Sequence, residues 1–243
     1  MTTPFLSIII PAYNEEYRLP RTLEQIFAFL GEQTYTAEVL VVENGSRDET
    51  FEIASDFAKR NQNLYVFQEK KRGKGNAVRR GMLEAQGDYR FFCDADLSMP
   101  IAEVNKFLPP VLEGMDVAIG SREVSGAVRY DEPQYRHLTG RVFNTLIQLL
   151  VLPELQDTQC GFKCFRAEVA EDVFRYQTLT GWSFDVEVLY IARRKGYRIH
   201  EVPINWYFKA DTKISVIQDS WQMFLDLLTI RRNARHGLYD PES

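Results

Sequence analysis

The sequence predicts an α/β protein with a central, mostly parallel sheet flanked by helices. Short, near-continuous apolar runs rich in β-branched residues alternate with stretches of helical periodicity through roughly the first half. Runs of that kind, apolar at every position, belong to strands buried on both faces. Each run is followed by a polar, glycine-rich or charged segment, and such sheets bind ligands outside the carboxyl ends of their strands.

Leu6–Ile10, stopped by Pro11, opens the pattern as a strand, and Leu19 to Gln33 follows as a helix carrying Leu23, Ile26, Phe27 and Leu30 at helical spacing. Glu38–Val42 is the second strand. Ser46 to Asn61 is a helix with acidic residues early, as the helix dipole prefers. Leu64–Phe67, a helix over Asn76–Ala85 and the strand Tyr89–Cys93 continue the alternation. Ile101–Gly114 is expected as a helix and Asp116–Gly120 as a strand. Beyond this the pattern loosens. Leu138–Leu152 is strongly apolar, Gly161–Phe165 reads as a short strand, and Phe184–Lys195 is a helix ended by Gly196. Arg198–Trp206 is a further strand, and Ser220–Arg235 is a final helix with Trp221, Phe224, Leu225, Leu228 and Ile230. No repeat, low-complexity linker or clean boundary divides the chain, so residues 1–243 are expected as one domain.

At 243 residues, 45% hydrophobic and 26% charged, the chain has ordinary globular composition and can bury a sizeable core. A net charge of -5 argues against a nucleic-acid partner held by bulk attraction. Cys93, Cys160 and Cys164 suggest a reducing compartment, and the Cys160/Cys164 pair lacks the further ligands a structural zinc needs. Met1-Thr2-Thr3-Pro4 leads straight into the first strand without a basic n-region, and no apolar run reaches spanning length. The expectation is a cytoplasmic protein, at most peripheral to a membrane.

The chemistry begins at Asp94-Ala95-Asp96, where the apolar run Tyr89–Cys93 breaks off. Two carboxylates beside a buried core demand a countercharge. Mg²⁺ or Mn²⁺ suits them, because such ions take one or two carboxylates and fill their other positions with water and phosphate oxygens. A lone tripeptide of this kind equally describes a solvated acidic turn. Its company decides: Pro11–Glu15, Glu43–Asp48, Lys70–Asn76 and Ser121-Arg122 fall at the same sheet edge. Lys74 offers a positive contact to a diphosphate, with Gly73 and Gly75 permitting close backbone approach. Glu43 or Asp48 offers acceptors to a base or ribose, and Tyr13 an aromatic face. The Lys74 loop lacks Walker A spacing, and no G-x-G-x-x-G opens the first helix, which argues against a dinucleotide cofactor.

These segments, together with Gly120-Ser121-Arg122, Asp157-Thr158-Gln159-Cys160-Gly161-Phe162-Lys163 and Phe184-Asp185-Val186-Glu187, are similar to those of the inverting family-2 glycosyltransferases. The likeness runs over nearly the whole chain. It is greatest to the enzymes that glycosylate polyprenyl phosphates, the dolichyl-phosphate β-glucosyltransferases above all. The resemblance implies the GT-A fold, a UDP-sugar donor, and a sugar-nucleotide half over 1–122. An acceptor half with a C-terminal amphipathic helix then covers 123–243. It also implies that Pro11, Ala12, Tyr13, Glu15, Glu43, Asp94 and Ala95 surround the nucleotide, while Asp94 and Asp96 hold Mg²⁺ or Mn²⁺. At Glu43-Asn44 the chain departs from the commoner Asp-Asp pair.

The acceptor sets the remaining chemistry. A sugar hydroxyl needs a general base, and Asp185 stands where relatives that glycosylate hydroxyls keep theirs. A lipid phosphate is already anionic and needs an arginine fork, for which Arg122 and Arg136 are the candidates, with Arg129 next. Leu138–Leu152 and Ser220–Arg235 are apolar enough for helices at a membrane interface, although core or homodimer packing explains the same pattern.

Overall fold

The computed structural model describes residues 3–209 and 216–240, leaving aside the side chains of 134–139, 142, 143 and 216–220. Seven strands form the main sheet: β1 (Leu6–Ala12), β2 (Ala37–Glu43), β3 (Leu64–Gln68), β4 (Tyr89–Cys93), β5 (Val117–Ser121), β7 (Phe162–Arg166) and β8 (Ile199–Pro203). Their order is β3-β2-β1-β4-β7-β5-β8, parallel throughout except for β7, which runs antiparallel to both β4 and β5. A separate parallel ribbon joins β6 (Val128–Tyr130) to β9 (Asn205–Tyr207).

Alternate residues of each strand point to opposite faces, and both faces are covered. Ile9, Val42 and Phe92 join one apolar cluster, with helices α3 (Lys74–Glu84), α5 (Ala167–Phe174), α6 (Phe184–Arg194) and the inner face of α7 (Val216–Arg235). Ile8, Ile10, Val41 and Phe91 join the other, with α1 (Leu19–Gly31) and α2 (Thr50–Arg60). That double burial is why the strands read as unbroken apolar runs. Cys93, Cys160 and Cys164 are free thiols buried within this core.

Several boundaries differ from the sequence expectation. Ile101–Gly114 is not a full α-helix but a 3₁₀ segment over Ile101–Phe107, because Pro109 drives Leu108 into extended backbone and neither Pro109 nor Pro110 has an N–H to donate. α2 starts at Thr50, since Ser46–Asp48 is used in a turn. α3 starts at Lys74, two residues early, which puts that lysine on the first turn. Arg198–Trp206 divides after Pro203, β8 joining the main sheet and β9 the ribbon. The apolar run near 138–152 belongs to α4 (Gln134–Leu150), and the short α5 had no sequence expectation.

Candidate active site

Strand order reverses direction between β1 and β4, the switch point at which a doubly wound sheet opens a crevice. A cavity of about 820 Å³ lies there. All five expected loops contribute to its lining, through residues that include Tyr13, Asn44, Lys74, Asp94 and Arg122.

The acidic pair is built into the wall from three directions. Thr22 of α1 donates its hydroxyl to the Ala95 carbonyl at 2.5 Å, pinning the turn. Leu97 takes a left-handed φ of 44° as the chain doubles back, and Asp96 Oδ1 accepts the Ser98 N–H at 2.8 Å. Gly161 backs directly onto Asp94, where a Cβ would sit 2.2 Å from Oδ2. Asp94 Oδ1 receives the Lys74 ammonium at 2.5 Å. Burial opposes the Lys74 charge, but Asp94 and Asp185 more than restore it, and its pKa lies above the ordinary lysine value. Among the described residues no third His, Cys, Asp or Glu gathers at the pair. That donor set suits a hard divalent ion that draws its remaining ligands from water and phosphate, not one caged by protein.

Lys74 is placed by two loops. Gly73 adopts φ 129° against Thr180, where a Cβ would lie 2.2 Å from the carbonyl oxygen, and the Gly75 N–H donates to that oxygen at 2.9 Å. Asn44 holds the approach. Its amide donates to the Glu69 and Lys71 carbonyls at 3.0 and 2.8 Å, while its Oδ1 accepts the Gly73 N–H at 2.8 Å. Trp182 lies with its ring 5.4 Å from the Lys74 ammonium.

Elsewhere in the cavity lining, Arg122 is clamped by the buried Asp157, with Nε and Nη2 donating at 2.7 and 2.9 Å. Burial raises the Asp157 pKa, but Arg122 outweighs it and brings the carboxyl down to about 2. Arg129 donates from Nη1 to Glu132 at 2.6 Å, from Nε to the Arg122 carbonyl at 3.2 Å, and from Nη2 to Glu123. Both guanidiniums face the Trp206 ring, at 5.5 and 5.8 Å. Asp185 also lines the cavity; its Oδ1 accepts the fully buried Lys163 ammonium at 2.7 Å. Burial raises the Asp185 pKa against the pull of Lys163 and Lys74.

Of the expected site residues, Pro11, Ala12, Tyr13, Glu15, Lys74, Asp94, Ala95, Asp96, Arg122 and Asp185 line this one cavity. Glu43 and Asp48 do not. Glu43 is buried and accepts from the Ser46 N–H and, at 3.3 Å, from Gln68. Asp48 accepts the Thr50 N–H at 3.1 Å and hydroxyl at 2.5 Å, and the Glu16 N–H at 3.2 Å. The short Asp48 side chain satisfies nearby backbone donors first, and buried Glu43 is held by Ser46 and Gln68, so both carboxylates brace the loops. Arg136 lies in α4, and its side chain falls outside the described residues.

The family profile described as glycosyl transferase family 2 matches residues 7–174, which takes in every segment built so far up to α5. The chain belongs to glycosyl transferase family 2. Among its relatives, the dolichyl-phosphate beta-glucosyltransferase of Drosophila melanogaster is 35% identical over 93% of this chain and 74% of its own. Those of Saccharomyces cerevisiae and Homo sapiens are 34% and 33% identical, covering 97% and 99% of this chain and 76% and 79% of theirs. The fold is also that of a solved structure, glucosyl-3-phosphoglycerate synthase from Mycobacterium tuberculosis in complex with Mn²⁺, UDP-glucose and phosphoglyceric acid. That match has a TM-score of 0.67 at 19% identity and covers 99% of this chain and 82% of the other. The GT-A architecture expected from the sequence is therefore the one observed.

Several parts of this glycosyltransferase's site had no expectation attached. Lys163 and Asp157 stand inside the quoted Asp-Thr-Gln-Cys-Gly-Phe-Lys motif, but nothing local announces their partners, 22 and 35 residues away. Trp182, Trp206 and Phe208 reach the cavity from the second half of the chain. Lys209 reaches it too, donating to the Asp96 carbonyl. A signal existed for Trp206 and Phe208, since Trp-Tyr-Phe-Lys ends an apolar run with a basic residue.

Proposed function

We propose that this enzyme transfers glucose from UDP-glucose to dolichyl or another polyprenyl phosphate, with inversion at the anomeric carbon. What carries the reading is one continuous cavity whose lining holds both the acidic pair with Lys74 and Arg122 beside Trp206. The relatives named for that reaction, of whose length the match covers 74–79%, support it.

Asp94 and Asp96 would hold Mg²⁺ or Mn²⁺, which when bound neutralises diphosphate charge as UDP leaves. Tyr13, with the Arg72 guanidinium 5.2 Å over its ring, forms the wall for the base. Lys74 supplies positive charge to the diphosphate. Asp157 takes only two of the five guanidinium N–H groups of Arg122, so the fork is held in a set orientation with donors remaining for an acceptor phosphate. All three nitrogens of Arg129 are engaged, which favours Arg122 for that task. For a lipid acceptor, α7 presents an exposed apolar strip of Trp221, Leu225 and Leu228 near the exposed Arg231, Arg232 and Arg235, a pattern suited to an anionic bilayer surface. Among the described residues no helix is long and apolar enough to cross a membrane.

Asp185 supports a second reading. A cavity-lining carboxylate with a raised pKa is a general base for a saccharide or small-molecule hydroxyl. A donor panel of UDP- and GDP-sugars with Mn²⁺ or Mg²⁺, with and without a polyprenyl phosphate, separates the two. Lipid-dependent UDP release is expected. GDP release alone overturns the donor, and indifference to the lipid, with Asp185→Asn abolishing turnover, favours the hydroxyl acceptor.

A further inference from the structure

Asp94 is confined on two sides. Gly161 packs against Oδ2 so closely that no side chain fits between them, and Lys74 occupies Oδ1 at 2.5 Å. Asp96 has already given one oxygen to its own turn. The backbone beneath Lys74 is locked by Gly73 and Gly75 against Thr180, yet the side chain itself has four rotatable bonds. It is only 17% exposed, and the cavity's Asp185 carboxylate already takes the Lys163 ammonium at 2.7 Å. A divalent cation arriving alone at Asp94 meets an ammonium already in place. Moving that ammonium away leaves a largely buried positive charge unpaired beside a new dication, which is costly in a poorly solvated wall. A diphosphate arriving with the cation removes the conflict, because its negative charge balances the dication and its oxygens accept the displaced ammonium.

We propose that Lys74 is a stand-in cation: it neutralises Asp94 in the donor-free cleft and gives up that carboxylate only to a diphosphate. The acidic pair therefore loads its metal together with the sugar nucleotide and not ahead of it. This rests on reading Asp94 and Asp96 as the metal-bearing pair. Lys74 then does two things in turn, pairing with Asp94 before the donor arrives and with phosphate oxygens afterwards. Its return to Asp94 favours departure of the nucleoside diphosphate after transfer.

The test is Mn²⁺ binding to the purified protein, read by electron paramagnetic resonance of free Mn²⁺, with and without UDP. For wild type, UDP should tighten Mn²⁺ binding at least about tenfold, a coupling that must be reciprocal. Lys74→Met should bind Mn²⁺ without UDP about tenfold more tightly than wild type, so that the UDP effect shrinks by a similar factor. Lys74→Arg, which keeps the charge, should behave as wild type. Lys74→Gln repeats the comparison if Met disturbs the fold. Should neither neutral variant bind Mn²⁺ alone more tightly than wild type, the stand-in role is wrong even if UDP still recruits the ion. If wild type takes up no Mn²⁺ with UDP present, or Asp96→Asn binds it as well as wild type, the metal-bearing reading fails and this inference with it.

Discussion

Asn44 shows how one atom decides what a residue does in this cleft. Its amide group donates to two carbonyls and its oxygen accepts from Gly73, so the loop before Lys74 hangs on it. A carboxylate there would face the same two carbonyls with no proton to offer. Asn44→Asp should lose about 1–3 kcal/mol in urea unfolding and raise KM for the donor more than it lowers kcat. Asp157 is the second such residue. Asp157→Asn leaves the Arg122 charge without its partner and should lower Tm by roughly 6–20 °C in a thermal melt. The pH dependence follows from the same pair. The folded pKa of about 2 lies below the ordinary 3.8, so this stabilisation is complete above 3.8 and is lost as pH falls from there towards 2. Acid titration followed by circular dichroism should show wild type losing stability through that window and Asp157→Asn lacking this component.

At the scale of elements, α7 has two apolar sets of residues, one buried and one exposed. Met223, Leu227, Ile230 and Ala234 are buried, whereas Trp221, Leu225 and Leu228 are exposed. The sequence pattern alone grouped Trp221, Phe224, Leu225, Leu228 and Ile230 as one apolar set, without dividing it between faces. Only packing against the rest of the protein separated the sets. Trp221→Ser with Leu228→Ser should weaken sedimentation with phosphatidylserine vesicles while leaving UDP binding unchanged. Equal sedimentation of variant and wild type would exclude this face as the membrane contact. α3 tells a similar story at its other end: beginning at Lys74 instead of Asn76, it aims that lysine at Asp94.

At the scale of the whole molecule, the sheet joins both halves of the chain. One apolar cluster runs from Ile9 to Tyr239 and the other from Leu6 to Ile204, so neither half can open without exposing the core of the other. The cavity likewise takes residues from both, from Pro11 to Met223. A single calorimetric transition is expected. UDP with Mn²⁺ at a hundredfold its dissociation constant should raise that transition by roughly 5–10 °C, and Asp96→Asn should abolish the rise.

Strand and helix alternation, the acidic pair and the loops at one sheet edge were legible from the residues alone. Buried parallel strands and turn chemistry are local properties, written in runs of five to seven residues. Nine of the ten expected site residues that meet in one cavity do so for that reason, because the carboxyl ends of parallel strands share an edge whatever the details; the tenth, Asp185, comes from α6. The tertiary structure alone decided which charges face the ligand and which are spent on one another. Asp157 claimed Arg122, Lys163 reached Asp185, and Lys74 settled on Asp94. Such pairings depend on distances between segments far apart in the chain and on how much water the packing excludes, and no short stretch of sequence records either.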